Sequence, residues 1–167
     1  LRADGFQSEN LTNIGEAHAE GFAGLREKIR EKLQLFKEAK TLVYCKDVLP
    51  LHEEILLFRE RLSARGLEPF ETFAWSRETA EASLYVRQIE KADGHTTLSA
   101  AYGSAFIRMT IPFADDASIE NAIHCWCVLL CLGEGETAIR QKMAELQPVA
   151  MRLELKNGIN NCSVIND

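Results

Sequence analysis

Long hydrophobic runs are missing from this sequence. None approaches the roughly 18 apolar residues that a membrane-spanning helix requires, and no secretion-signal pattern is present. An excess of basic residues is missing too. Lys and Arg number 19 against 25 Asp and Glu, for a net charge of −6 and a pI near 5.3. That balance excludes the basic patch of a nucleic-acid surface. The cysteines do not form an even set, since five cannot all pair internally. With no secretion signal they read as reduced thiols of a cytoplasmic protein. A phosphate-binding loop of the form Gly-x-x-x-x-Gly-Lys-Ser/Thr is absent from the sequence. Repeats and low-complexity segments are absent as well. What remains is 167 residues, 46% hydrophobic and 26% charged. That is the ordinary make-up of a globular domain with a sizeable core.

Residues 1–10 are crowded with polar groups (Arg2, Asp4, Gln7, Ser8, Glu9) and read as leader or added sequence rather than a buried strand. From Leu25 to Ala39 the apolar residues Leu25, Ile29, Leu33 and Phe36 recur at helical spacing. Thr41–Cys45 reads as a short buried strand. Pro50 opens a second helix with a Leu51, Ile55, Phe58, Leu62 stripe, stopped at Gly66. Glu68 to Trp75 reads as the next strand. Alternation of helix and strand at this spacing implies a parallel sheet with crossover helices.

The pattern then changes. Three short strands are expected at Ala82–Ile89, Thr96–Tyr102 and Ala105–Phe113, joined by the turn signals Ala92-Asp93-Gly94 and Gly103-Ser104. They predict an antiparallel three-stranded meander over residues 82–113. Asp115 or Asp116 caps a further helix, which is apolar enough from Ile119 to Leu132 to be nearly buried. A last amphipathic helix covers Thr137–Leu146, and two strands, Met151–Leu155 and Cys162–Ile165, flank Asn157-Gly158. The expected fold class is α/β, a parallel sheet with crossover helices plus the small meander. Residues 11–167 form one unit.

Thr12-Asn13-Ile14-Gly15-Glu16-Ala17-His18 leads into Glu20-Gly21-Phe22, and Lys32 follows His18 by fourteen residues. A neutral imidazole can ligate a metal. A lysine can do so once its charge is removed, for example as a carbamate, which offers the hard oxygen that Mg²⁺ prefers. Taken singly, His18 reads as a hydrogen-bonded structural histidine and Lys32 as a solvated helix lysine. Together the wording resembles the middle of the Mur ligases, the ATP-dependent amide ligases of peptidoglycan assembly. Ala17–Phe22 is most similar to those members that add D-alanyl-D-alanine to UDP-N-acetylmuramoyl-tripeptide. The resemblance implies that His18 and a carbamylated Lys32 serve a magnesium ion.

Ser118-Ile119-Glu120-Asn121-Ala122 resembles the family's Asn-x-x-Asn-Ala segment, which implies that Asn121 offers its amide to adenine. An amide can donate and accept at one base edge. Ser118 stands where the first Asn usually is and carries no contact over. Alone, Asn121 near a helix start reads as a cap. Pro148–Glu154 is similar to the segment that places an arginine, here Arg152, near the nucleotide phosphates. Val164-Ile165-Asn166-Asp167 is similar to the segment whose aspartate, here Asp167, meets the ribose. Arginine suits phosphate by its planar fork of donors, and aspartate suits ribose hydroxyls. Alone, Arg152 reads as half of an exposed strand pair with Glu154, and Asp167 as a turn cap.

The resemblance runs from about Leu11 to Asp167. It implies a partial central domain of a longer enzyme, with the phosphate loop upstream, using ATP and Mg²⁺. In some bacteria such a ligase is fused to an alanine racemase, of which these residues carry no sign. A folylpolyglutamate synthetase-like or other Mur-type ligase, or a non-catalytic interaction domain of the same fold, are the alternatives. His124, Cys125, Cys127 and Cys131 invite a zinc reading. On a helix, however, Cys125 and Cys127 lie about 200° apart, so they read as core cysteines. His52 and His95 carry no role.

Overall fold

Thr41–Cys45 is apolar on both sides, as a strand covered by helices on both faces must be. Leu42 and Tyr44 enter one buried cluster, Val43 and Cys45 the other. The remaining elements are arranged around that two-sided burial. The computed structural model describes residues 8–10, 21–147, 154–157 and 163–166, and the side chains of residues 24–147. Its elements are β1 (Ser8–Asn10), α1 (Gly21–Leu33) with a 3₁₀ turn (Gln34–Phe36), β2 (Thr41–Cys45), α2 (Leu49–Ala64), β3 (Glu71–Ser76), β4 (Leu84–Ala92), β5 (His95–Tyr102), β6 (Ala105–Ile111), α3 (Asp116–Cys131), α4 (Glu136–Ala144), β7 (Glu154–Asn157) and β8 (Ser163–Asn166).

A six-stranded sheet runs in the order β1-β2-β3-β4-β5-β6, and β7 and β8 form a separate antiparallel pair. The pairs from β1 to β4 are parallel, and β4–β5 and β5–β6 are antiparallel. The fold is therefore α/β with a mixed sheet, and the meander extends the parallel strands. One expectation fails for three residues. Ser8–Asn10 pairs with Thr41–Val43 as the outer strand, so at least this part of residues 1–10 belongs to the sheet. Strand pairing uses backbone groups, so polar side chains did not prevent it.

α1 and α2 cover one face of the sheet. Ile29 and Leu33 meet Leu51, Ile55, Phe58 and Leu62 over Leu42, Tyr44 and Phe70. α3 and α4 cover the other face, where Trp126, Ile123 and Met143 pack on Leu84, Val86, Leu98, Ile107, Met109 and Ile111. Contrary to the expectation of near-complete burial, α3 leaves one flank open, with Asn121 and Cys125 exposed. Its sheet-facing side, from Ile119 to Leu130, is buried. Apolar composition overstated the coverage because the sheet reaches only one side of the helix.

The first hairpin turns on Asp93 (φ 45°) and Gly94 (φ 78°). Two left-handed residues match the strand twist in a two-residue loop. β4 carries a bulge between Val86 and Gln88. Period-two alternation would put Gln88 beside Leu84 and Val86. The extra residue shifts the register so that Ile89 packs on that core instead.

Glu54 is 1% exposed and lies between the two helices of its layer. It accepts from Arg30 Nε at 2.7 Å, Arg30 NH2 at 2.8 Å and Arg26 NH1 at 3.0 Å, and Arg26 also pairs with Glu53. Such a carboxylate needs its partners, since an unpaired buried charge is costly. Arg30 first, then Arg26, holds the Glu54 carboxyl below its ordinary value of 4.5. Its stabilisation is therefore complete above pH 4.5 and lost as pH falls through the lower folded value. Glu54→Gln is expected to cost on the order of 1 kcal/mol at neutral pH. Urea unfolding checks this, and the deficit should shrink in acid. A deficit that stays constant below pH 4 would show that the charge is not its source.

Candidate functional site

β2 and β3 end side by side beneath the first half of α3. In open α/β sheets, ligands bind outside the carboxyl ends of the strands. Here those ends open into a crevice of about 590 Å³, lined by residues that include Cys45, Asp47, Trp75, Arg77, Arg87 and Glu120. The strand ends are pinned together. Asp47 accepts from Ser76 Oγ and from the Arg77 amide at 2.8 Å. Ser76 Oγ in turn accepts from the amides of Glu78 and Thr79, both at 2.9 Å. Lys46 N donates to the Trp75 carbonyl at 2.8 Å. The buried Ser76 hydroxyl thereby both donates and accepts.

Behind the crevice, Trp75 Nε1 donates to His124 Nε2 at 3.3 Å. The two rings meet edge to face, with centroids 5.5 Å apart at 88°. His124 is 1% exposed. Burial lowers its pKa from 6.5 to about 4, and burial pushes the Cys45 thiol up to about 11. Cys45 therefore stays protonated near neutral pH and is no nucleophile. His124, Cys127 and Trp126 are core residues here. The four described cysteines are free thiols.

The histidine gives a pH signature. An unfolded chain protonates this imidazole below about pH 6.5, while the folded chain resists until about pH 4. Stability is therefore lost as pH falls from 6.5 to 4, by up to about 3 kcal/mol at 1.36 kcal/mol per pKa unit. His124→Gln keeps an acceptor for Trp75 and should flatten most of that slope. His52 is lowered in the same direction by burial and then by Lys46, so a smaller slope should persist. Denaturation midpoints measured across pH 4.5–7 would contradict this assignment if variant and parent kept equal slopes.

On the other flank of α3, Asn121 lines a smaller pocket of about 100 Å³ with Phe113, Ala117, Ala122, Leu146 and Gln147 among its walls. Asn121 does not cap the helix. Asp115 does, accepting from Ser118 N at 2.8 Å. The Asn121 amide has no hydrogen bond among the described residues. The Ser118 amide is taken up by that cap.

The other site residues expected from sequence fare differently. His18, Arg152 and Asp167 lie outside the described residues. Lys32 is exposed in the last turn of α1 and has no ion pair among the described residues. α1 and α3 pack on opposite faces of the sheet, so the described residues do not bring Lys32 and Asn121 into one cluster. No group of three or more His, Cys, Asp or Glu residues is placed to hold a metal ion among the described residues. Sequence reading missed the crevice residues Asp47, Arg77, Arg87 and Glu120. Lys46-Asp47 directly after a buried strand was the available signal.

No family model matches the sequence, and no curated protein matches it. Solved structures do match the fold. MurF from Acinetobacter baumannii is similar at a TM-score of 0.67 and 16% identity, covering 92% of this chain and 32% of that one. MurF ligase from Thermotoga maritima, solved in complex with ADP, is similar at 0.61 and 18% identity, covering 90% and 33%. Folylpolyglutamate synthetase from Lactobacillus casei follows at 0.58 and 12% identity, covering 87% and 36%. The chain thus has the α/β fold found in Mur ligases and in folylpolyglutamate synthetase. It spans about a third of the length of these structures. No helix among the described residues is long and apolar enough to cross a membrane.

Proposed function

We propose that this chain is part of the central domain of an ATP-dependent amide ligase that adds D-alanyl-D-alanine to UDP-N-acetylmuramoyl-tripeptide. The observation that carries the reading is the fold likeness to MurF structures over about nine-tenths of the chain. The motif order from Thr12 to Asp167 and the uncommitted amide of Asn121 add to it. In the reaction, ATP phosphorylates the peptide carboxylate, and the dipeptide amine displaces phosphate from the acyl phosphate. The protein's contribution is to position the reactants and stabilise developing charge.

Asn121 is assigned to the adenine edge. Its pocket is far below the roughly 300–1,000 Å³ of a small-molecule site, so it takes a base edge rather than a whole nucleotide. Arg152 is assigned to the phosphates and Asp167 to the ribose. The described residues do not complete a magnesium site, and Lys32 is the one expected ligand among them. Bound Mg²⁺, held by His18 and carbamylated Lys32, would neutralise charge on the phosphate oxygens.

The complete protein tests the reading. Asn121→Ala is expected to raise KM for ATP by about tenfold or more, the worth of a bidentate base contact, with a smaller change in kcat. An unchanged KM would remove Asn121 from the nucleotide site. Phosphate release that requires folate and glutamate, rather than the muramoyl tripeptide and D-alanyl-D-alanine, would favour the folylpolyglutamate synthetase-like alternative. No ATP-dependent phosphate release under either condition would favour a non-catalytic domain.

A further inference from the structure

Trp126 is the largest fully buried side chain, and its indole Nε1 has no hydrogen-bond partner among the described residues. A buried donor left unmade is costly, because the water it gave up is not replaced. The same side chain forms one wall of a cavity of about 180 Å³, set between the ends of β5 and α3 and the starts of β6 and α4. Tyr102, Ile107, Leu130 and Ile139 supply its other apolar walls. The three aliphatic residues are buried. Tyr102 is exposed and is steadied by Phe73, with ring centroids 6.0 Å apart. Glu120 lines the crevice at the carboxyl ends of the strands, whereas Leu130 of the same helix lines this cavity. The helical rise puts about 15 Å between those two positions, so the cavity is separate from the crevice.

The chemistry of the walls selects an occupant. A water molecule is held by roughly three hydrogen bonds, and the side chains of Ile107, Leu130 and Ile139 offer none beside the indole. Apolar cavities of about 150 Å³ instead take a molecule the size of benzene. The carboxylates at the mouth are already paired, Glu134 with Lys142 at 2.6 Å and Glu136 with Arg140 at 2.7 Å. An anion would give up its hydration there without gaining a free cation. An apolar molecule with one strong acceptor uses both features, filling the cavity and taking the indole N–H.

We infer that this cavity binds a small uncharged carbonyl compound about one aromatic ring in size, its ring against Ile107, Leu130 and Ile139 and its oxygen accepting from Trp126 Nε1. The site is distinct from the nucleotide and metal assignments above, and its test needs neither ATP nor turnover.

Acetophenone is the probe, titrated into the 167-residue chain and followed by NMR through the two indole N–H resonances, with ethylbenzene and benzoate as controls. Saturable downfield movement of the Trp126 resonance is expected with acetophenone. The Trp75 resonance should stay in place, since that indole already donates to His124. Ethylbenzene has nearly the same shape and no acceptor, so it should fill the cavity without the downfield movement. Benzoate should bind about tenfold more weakly than acetophenone, because its carboxylate loses hydration. Trp126→Phe should weaken acetophenone about fivefold more than ethylbenzene, the worth of a neutral hydrogen bond. Leu130→Phe narrows the cavity and should weaken both alike. If either variant fails to fold, the parent's Trp126 resonance still decides. The inference is overturned by the absence of saturable movement, by equal movement of both indoles, by ethylbenzene reproducing the downfield shift, by equal affinity for benzoate, or by equal losses of acetophenone and ethylbenzene in Trp126→Phe.

Discussion

If the proposed ligase reading holds, Lys32→Ala in the complete protein is expected to reduce turnover by about 10²–10³-fold, equivalent to roughly 3–4 kcal/mol of barrier, with partial rescue by added short-chain carboxylates. The reason is charge. An ammonium beside Mg²⁺ repels it, whereas a carbamate supplies an anionic oxygen. Carbamylation requires a neutral amine, and burial is the usual means of producing one. Among the described residues Lys32 is exposed on the last turn of α1, so on this reading any burial must come from elsewhere in the complete protein. Mass spectrometry should accordingly find Lys32 unmodified in the isolated chain. Steady-state kinetics of Lys32→Ala, His18→Ala and the pair decide the rest. If the double loss is no larger than either single loss, the two residues act as one unit. Full activity of Lys32→Ala, or a loss that no carboxylate relieves, would remove the carbamate from the reading.

Trp126→Ala is expected to destabilise the chain by roughly 3–5 kcal/mol, the cost of emptying a large aromatic site in a core. Trp126 has no exposed surface and packs in the cluster shared by α3, α4 and the meander. Its Nε1 is buried with no hydrogen-bond partner among the described residues, so the indole contributes volume and dispersion rather than a polar contact. Trp126→Phe should therefore cost less than half as much, because it also removes an unsatisfied donor. Equilibrium urea unfolding measures both. Equal losses for Ala and Phe would mean that the nitrogen matters after all.

Much of the fold was legible in the sequence because its signals are local. Leu51, Ile55, Phe58 and Leu62 proclaim one helix face, and all four are buried. Asp93-Gly94 announces a two-residue turn, and both residues take positive φ. The bulge was not legible, since Leu84, Val86 and Ile89 fit simple alternation only if a residue is inserted. The place of Glu54 was hidden for another reason. Its partners Arg26 and Arg30 are distant in sequence, and a lone glutamate in an amphipathic helix reads as solvated. The assignment of Asn121 to a nucleotide rests only on its resemblance to a motif. Taken alone it read as a cap, but Asp115, one of the two aspartates expected to cap this helix, holds that role. The crevice escaped notice because its residues come from separate elements and share no motif.

The mixed sheet also has a consequence for how the chain acquires its shape. Within the meander each strand closes onto its neighbour across a two-residue loop, Asp93-Gly94 or Gly103-Ser104. By contrast, β2 and β3 can pair only after α2 has been threaded between them. Closure entropy and contact order both favour the meander as the earlier partner. The parallel half then joins it along a narrow seam, since β3 and β4 share only the pairs Trp75–Leu84 and Ser76–Tyr85. α3 spans that seam, and the Trp75–His124 contact rivets it to the parallel half. The crevice therefore sits on the seam where the parallel and antiparallel halves of the sheet meet.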